Sequence, residues 1–257
     1  GGYVYFTSMR PGHYRVYSQP NSGMWCCVGT GMENHGKYGE FIYTHNGKEE
    51  LYVNLFVASR LDWEENGATF TQETQFPYEE SSRIMVSLKK SRKFKVMVRC
   101  PEWTDGGYSV KVNGTEYAAG AEPSSYVTVD RKWKNGDVIE ISLPMRTIIE
   151  PLQNKEEYLA VKRGPIVLAA RTSQDNLDGL ISNDGRWAHI ASGPLTPLAE
   201  TPIMIGTKQE IESKLQNMKP VPGKPLHYTA SGLFDSNRFP NVELEPFYSL
   251  HDSRYAI

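Results

Sequence analysis

Tyr108-Ser109-Val110-Lys111-Val112-Asn113-Gly114-Thr115-Glu116-Tyr117 sets the fold class of this chain. Two alternating runs meet at Asn-Gly, the pair that most readily enters a two-residue hairpin turn, because both central positions need positive φ. The chain therefore doubles back on itself as antiparallel strands. The same material extends in both directions: runs at 51–57, 69–76, 83–88 and 94–99 precede the hairpin, and runs at 126–129, 138–143 and 158–170 follow it. They are rich in β-branched and aromatic residues, which suit a pleated surface. Short strands about ten residues apart, with turn residues between them, predict a β-sandwich over 47–170.

The flanks differ. Met9-Arg10-Pro11-Gly12-His13 is turn chemistry between two short extended runs, 3–7 and 14–17. From 31 to 45 the spacing becomes helical, with Met32, His35, Tyr38 and Ile42 sharing one face. Thr30 and Glu33 read as a capping box, Glu33 stands four residues before Lys37, and Asn46-Gly47 ends the element. One amphipathic helix cannot bury its own apolar face, so 1–46 reads as a piece of something larger. Past Arg171 the composition shifts to Ser, Asn, Asp, Gly and Pro, which predicts a smaller β-rich module over 171–257. Its one helix, near 207–218, starts on the capping box Thr207-Lys208-Gln209-Glu210 and carries Ile211, Leu215 and Met218. Pro220, Pro222 and Pro225 stop it, and 226–230 and 242–255 read as extended. The class is mainly β.

Composition narrows the function. The chain has 257 residues, 39% hydrophobic and 23% charged, with a formal charge of −2. So neutral a balance offers no basic field for nucleic acid and no basic amphipathic helix for a membrane surface. The longest apolar run, 165–170, is far too short to span a bilayer. Gly1-Gly2 reads as a cloning remnant, which places the natural start upstream and leaves the compartment open.

Cysteine is used sparingly, at 26, 27 and 100 only. Adjacent cysteines rarely bridge each other, because the geometry strains the peptide between them. The pair in Trp25-Cys26-Cys27-Val28-Gly29-Thr30-Gly31 therefore reads as thiolate chemistry, nucleophilic or metal-binding, or as two small buried hydrophobes. Cys100, in an alternating strand before Pro101, reads as packing. Two neighbouring sulfurs supply half of a tetrahedral metal site. His35, His45 and Glu33 are available to extend it, although His35 on an apolar face reads better as a core histidine. Glu33 and Glu40 lie seven apart on one helix face; paired carboxylates hydrolyse glycosides, but surface glutamates are ordinarily just solvated. These residues alone complete no catalytic constellation.

Phe6-Thr7-Ser8-Met9-Arg10-Pro11-Gly12 and the block from Trp25 through Glu40 resemble the bacterial β-L-arabinofuranosidases of glycoside hydrolase families 127 and 146. Leu51-Tyr52-Val53-Asn54-Leu55-Phe56, Trp133-Lys134-Asn135-Gly136-Asp137, Leu143-Pro144-Met145, Arg163-Gly164-Pro165 and the tail from Pro246 to Tyr255 are similar too. The resemblance implies an (α/α)6 barrel carrying the active site, with β-sandwich domains after it. It implies Cys26 as nucleophile and zinc ligand, and Cys27 as zinc ligand. The other two ligands, from a Glu-x-Cys motif, and a glutamate general acid/base would lie upstream. No Glu-x-Cys precedes residue 26, so the chain matches the end of the catalytic domain, 1–46, plus the β domains. The implied substrate is an L-arabinofuranoside-containing plant glycan, and the implied parent is periplasmic or secreted.

Trp25 reads equally as a wall of the sugar site or as a structural tryptophan. The chain by itself is expected to be inactive and to hold zinc weakly or not at all. The missing barrel, or a second copy, is expected to cover the apolar face of 1–46. The alternative reading is a non-catalytic β module for scaffolding or carbohydrate binding; a thiol redox or zinc-storage role is a weaker third.

Overall fold

The computed structural model describes residues 2–23, 25–104, 106–119 and 121–257, so Gly1 of the expected remnant lies outside the described residues. The chain separates into two compact units, one formed by 36–146 and the other by 1–35 with 147–257. A helix, α1 (Cys26–Ile42), begins in the second and ends in the first.

The 36–146 unit contains β1 (Tyr43–Asn46), β2 (Glu50–Val53), β3 (Ser59–Trp63), β4 (Ala68–Glu73), β5 (Ser81–Leu88), β6 (Arg92–Cys100), β7 (Ser109–Val112), β8 (Thr115–Ala119), β9 (Ser125–Trp133) and β10 (Val138–Ser142). One sheet runs β1-β2-β6-β9 and the other β3-β4-β5-β10-β7-β8. β2 lies parallel to β6, and the other pairings are antiparallel. The expected hairpin is there: β7 pairs with β8 across Asn113 (φ 50°) and Gly114 (φ 77°).

Alternation turns Phe94, Val96, Val98 and Cys100 of β6 inward to meet Ile84 and Val86 of β5 and Ile139 and Ile141 of β10 in one core drawn from both sheets. That arrangement is a β-sandwich. Each such side chain contributes about 1.5–3 kcal/mol on full burial. Trp133 is fully buried, stacks on Phe94 with ring centroids 5.7 Å apart, and donates from Nε1 to the Phe94 carbonyl at 3.0 Å. Cys100 is buried in this core, as its alternating strand predicts.

Two elements of this unit differ from the sequence expectation. The helical spacing runs to residue 45, yet Tyr43–Asn46 turns into strand β1 and pairs with β2 around Gly47 (φ 54°). Buried Asn54 holds that corner, donating to Phe41 O at 3.2 Å and Thr44 Oγ1 at 3.1 Å while accepting from Tyr126 Oη at 2.7 Å. β3 escapes the sequence reading because its Arg60 and Asp62 mask the alternation; they pair with each other at the surface.

In the other unit, β11 (Thr147–Leu152), β12 (Lys155–Arg163), β13 (Ile166–Arg171), β14 (Lys219–Pro220), β15 (Tyr228–Thr229), β16 (Leu244–Pro246) and β17 (Tyr255–Ala256) share a sheet. Its order is β11-β12-β13-β16-β15-β14, with β17 also on β13. The sequence reading places 147–170 with the sandwich, whereas here Leu168 faces Pro246 and Ala170 faces both Leu244 and Ala256. The run 158–170 is two strands, split where Gly164 (φ 54°) and Pro165 turn the chain. The second helix, α2 (Lys208–Gln216), carries the predicted capping box, with Thr207 N donating to Glu210 Oε2 at 2.7 Å and Glu210 N to Thr207 Oγ1 at 3.3 Å. Its Ile211 and Leu215 pack with Ile149, Val161, Leu168 and Leu244.

The expected strands at 3–7 and 14–17 are reduced to isolated bridges, Val4 to Tyr17 and Tyr17 to Ile181. The arm they form is fastened to the chain's tail. Gly12 N donates to Tyr255 O at 2.7 Å, Tyr255 N to His13 O at 3.0 Å, and the Arg15 guanidinium lies 4.3 Å from the Phe247 ring centroid. Among the described residues, no helix is long and apolar enough to cross a membrane.

Candidate active site

α1 starts at Cys26, so Thr30 is inside the helix rather than its cap. The two cysteines therefore occupy its first turn, where backbone N–H groups lack helical partners and the positive end of the dipole favours a thiolate. Val28 is buried and its N–H donates to Trp25 O at 2.9 Å, which fixes the entry of the helix. Both cysteines are exposed free thiols. Their sulfurs stand 3.9 Å apart, far beyond the roughly 2.05 Å of a disulfide. The reading of the pair as small buried hydrophobes fails on this exposure.

The arm brings Tyr5 to the pair, with Tyr5 Oη 3.9 Å from Cys26 Sγ. The thiol donates when protonated, and the phenol O–H donates to the thiolate. That contact first, and the hydrogen bond with Cys27 second, hold the Cys26 thiol below its ordinary value. Cys27 and Tyr5 are pushed up, each chiefly through its hydrogen bond with Cys26. The first proton to leave the cluster is therefore that of Cys26.

A third segment, 182–189, closes one side. Trp25 Nε1 donates to Gly185 O at 3.4 Å, Gly23 N to Asp184 Oδ1 at 3.0 Å, and Gln19 Nε2 to Ser182 O at 2.9 Å. His189 is buried with its ring 4.4 Å from that of Tyr5 and 5.2 Å from that of Trp25, centroid to centroid. Trp187 follows, 6.0 Å from His189. His189 Nδ1 lies 3.1 Å from Arg186 O, and a carbonyl only accepts, so Nδ1 carries the proton. Tyr5, His189 and Trp187 are absent from the sequence reading. Their one legible signal is a tryptophan inside an otherwise polar stretch, Asn183-Asp184-Gly185-Arg186-Trp187.

The other candidates lie elsewhere. His35 is exposed on α1 with Nδ1 2.6 Å from Gly31 O, not in a core. The face it shares leaves Met32 and Tyr38 exposed, and Phe41 is exposed as well. Glu33 is exposed, and Glu40 pairs with Lys37 at 3.0 Å on the same surface, as solvated glutamates do. His45 lies on β1 with Nδ1 3.2 Å from Gly47 O. Among the described residues, no three His, Cys, Asp or Glu side chains gather as a metal site. The cysteine pair does suit one edge of a zinc tetrahedron. Two Zn–S bonds of about 2.3 Å at the tetrahedral angle set sulfurs about 3.8 Å apart, against the 3.9 Å found.

The comparisons with known proteins divide the chain in three. The model of the GH127 β-L-arabinofuranosidase catalytic domain matches residues 1–40, that of the GH127 middle domain residues 50–145, and that of a domain of unknown function, DUF4986, residues 148–257. No curated protein matches the sequence. Among solved structures, a GH127 β-L-arabinofuranosidase from Geobacillus stearothermophilus T6 is 24% identical with a TM-score of 0.50, over 57% of this chain and 24% of that one. A GH127 β-arabinofuranosidase is 26% identical with a TM-score of 0.52, over 63% and 28%. A glycoside hydrolase is 23% identical with a TM-score of 0.51, over 67% and 35%. The chain thus spans about a quarter to a third of the length of these structures.

Proposed function

The chain belongs to the GH127 β-L-arabinofuranosidase family, through its catalytic-domain and middle-domain matches, and from that membership we propose that it is the C-terminal part of a retaining glycoside hydrolase. Its substrates are β-linked L-arabinofuranosides of plant glycans. The observation that carries the reading is the exposed, unbridged Cys26 thiol in the first turn of α1, with Cys27 Sγ and Tyr5 Oη each 3.9 Å away. The Cys26 thiolate attacks the anomeric carbon, a C–S bond forms, and the glycosidic C–O bond breaks. The leaving oxygen takes a proton from an acid carried by the rest of the protein. Water then displaces sulfur at the same carbon, and two inversions give retention.

In the metal-free pair Cys27 is pushed up and Tyr5 donates to the Cys26 thiolate, so the first negative charge falls on Cys26. Zinc, held in part by Cys26 and Cys27, would supply a thiol kept deprotonated at neutral pH. Two sulfurs are half of its ligand set, so this chain alone binds the ion weakly and is inactive. The exposed Met32, Tyr38 and Phe41 of α1 support a helical partner there, supplied by the remainder of the catalytic domain. A second copy of the chain covers that face when the remainder is absent.

The test uses the intact enzyme. Cys26→Ala should abolish hydrolysis of arabinofuranosides, and mass spectrometry of the slowed wild-type reaction should find a pentosyl adduct on the Cys26 peptide. Normal turnover by Cys26→Ala refutes the assignment. The sandwich favours a second reading for the chain alone, a carbohydrate-holding module, which heat on titration with arabinose oligosaccharides would reveal.

A further inference from the structure

We propose that the 184–189 segment of the C-terminal domain, a domain with no assigned function, forms the leaving-group side of the glycosidase site, with Trp187 stacking the sugar next to the bond being cut. The proposal rests on Cys26 as the reacting group.

Three observations carry it. First, the segment is pinned to the chain immediately before the cysteine pair, by Asp184 to Gly23 N–H and by Gly185 O to Trp25 Nε1. It is held beside Cys26 at two points although the residues are some 160 positions apart in sequence. Second, a chain of ring contacts runs from the thiol outward: Tyr5 on Cys26 Sγ, buried His189 behind Tyr5 at 4.4 Å, and exposed Trp187 on His189 at 6.0 Å. Trp187 is thus two ring-to-ring contacts removed from the ring that touches the thiol, far enough out to be assigned the neighbouring sugar in this proposal. Third, Trp187 is 67% exposed, whereas Trp63 and Trp133 are 2% and 0% exposed. Its indole contributes little to any core, yet it is not loose, since Arg186 lies 5.3 Å from its centroid and His189 supports it.

A wide apolar ring held in water beside a reacting group is what the C–H face of a sugar stacks on. Exposed Arg186 adjoins that ring with hydrogen-bond donors for the sugar's hydroxyl groups. Trp187 is in these terms a specificity residue. It does not touch the reacting atoms.

The test compares two substrates of the intact enzyme, a β-linked arabinofuranose disaccharide and methyl β-L-arabinofuranoside, which has no neighbouring sugar. Trp187→Ala should lower the ratio of their kcat/KM values about threefold to tenfold, through the KM of the disaccharide, and Trp187→Phe should recover most of it. An unchanged ratio overturns the proposal, including one in which both substrates suffer equally. Calorimetry on the Cys26→Ala enzyme reads the same contact without turnover. Disaccharide binding weakened by adding Trp187→Ala supports the stack, and equal binding, or none, overturns it. Hydrolysis that persists in Cys26→Ala refutes the nucleophile instead, and the binding comparison still judges Trp187.

Discussion

Replacing Arg254 by Met should unfasten the arm that presents Tyr5. Arg254 is 3% exposed and lies against the Tyr14 ring, 5.0 Å from its centroid. Its fork donates to Asp175 O at 2.9 Å, Asn176 O at 2.8 Å and Gly12 O at 2.9 Å, and to Thr196 Oγ1 at 3.3 Å. One side chain thus ties the arm to two loops of the C-terminal domain. Among the described residues no carboxylate pairs with it, so its charge is compensated by carbonyl and hydroxyl dipoles and the Tyr14 ring. Met fills a similar volume but leaves the Asp175 and Asn176 carbonyl oxygens without their donor, at about 1–3 kcal/mol each, while Gly12 O keeps the Thr196 hydroxyl at 3.1 Å. Removing a buried charge returns part of that cost. The net loss should be about 3 kcal/mol, or roughly 10 °C in Tm for a unit of this size.

Denaturant titration measures the stability, and hydrogen exchange of the Gly12 and Tyr255 amides, which bridge the arm to β17, should rise first. Arg254→Lys should rescue little, because an ammonium is a point donor and cannot reach three separate segments. A loss below about 1 kcal/mol, or a lysine variant as stable as the parent, refutes this account of how the arm is held.

Four further outcomes follow from the same geometry. Tyr5→Phe removes the main group acidifying Cys26, so the pH profile of Cys26 alkylation by iodoacetamide should move to higher pH; an unmoved profile contradicts the contact. His13 has its proton affinity lowered, first by burial and then by Arg254 and Arg10, and its Nδ1 is buried with no hydrogen-bond partner among the described residues. The unfolded ring takes a proton below about pH 6.5 and the folded one resists it. Stability should therefore fall as pH drops from about 6.5, and His13→Gln should flatten that fall in urea titrations at several pH values. Thr207→Ala breaks the capping box and should cost about 1 kcal/mol, read by thermal denaturation. Gly114→Ala forces a side chain into φ 77° and should cost about 1–2 kcal/mol, with Gly114→Asn milder in the same assay.

The features legible in the chain are those whose causes lie within a few residues. Asn113-Gly114 specifies its turn through its own φ preferences, Phe94 to Cys100 specifies its buried face by alternation, and Thr207 with Glu210 caps α2 across three positions. The chemistry of Cys26 and Cys27 as free thiols was equally local, since adjacency alone disfavours a bridge. Other features depend on partners far away in sequence. Leu168 chooses β16 rather than the sandwich because Pro246 and Leu244 arrive beside it, and no property of 158–170 announces that. The start of α1 at Cys26 also lay outside the periodicity, because its first turn, rich in small residues, carries almost no apolar pattern. Tyr5 and His189 reach Cys26 only after the arm and the 182–189 segment are pinned by long-range hydrogen bonds in which Gln19, Trp25, Asp184 and Arg254 each meet a backbone group, and since every residue carries such a group, the sequence does not mark which one is chosen. Local sterics write themselves into the sequence, while long-range placement is settled by which surfaces bury each other.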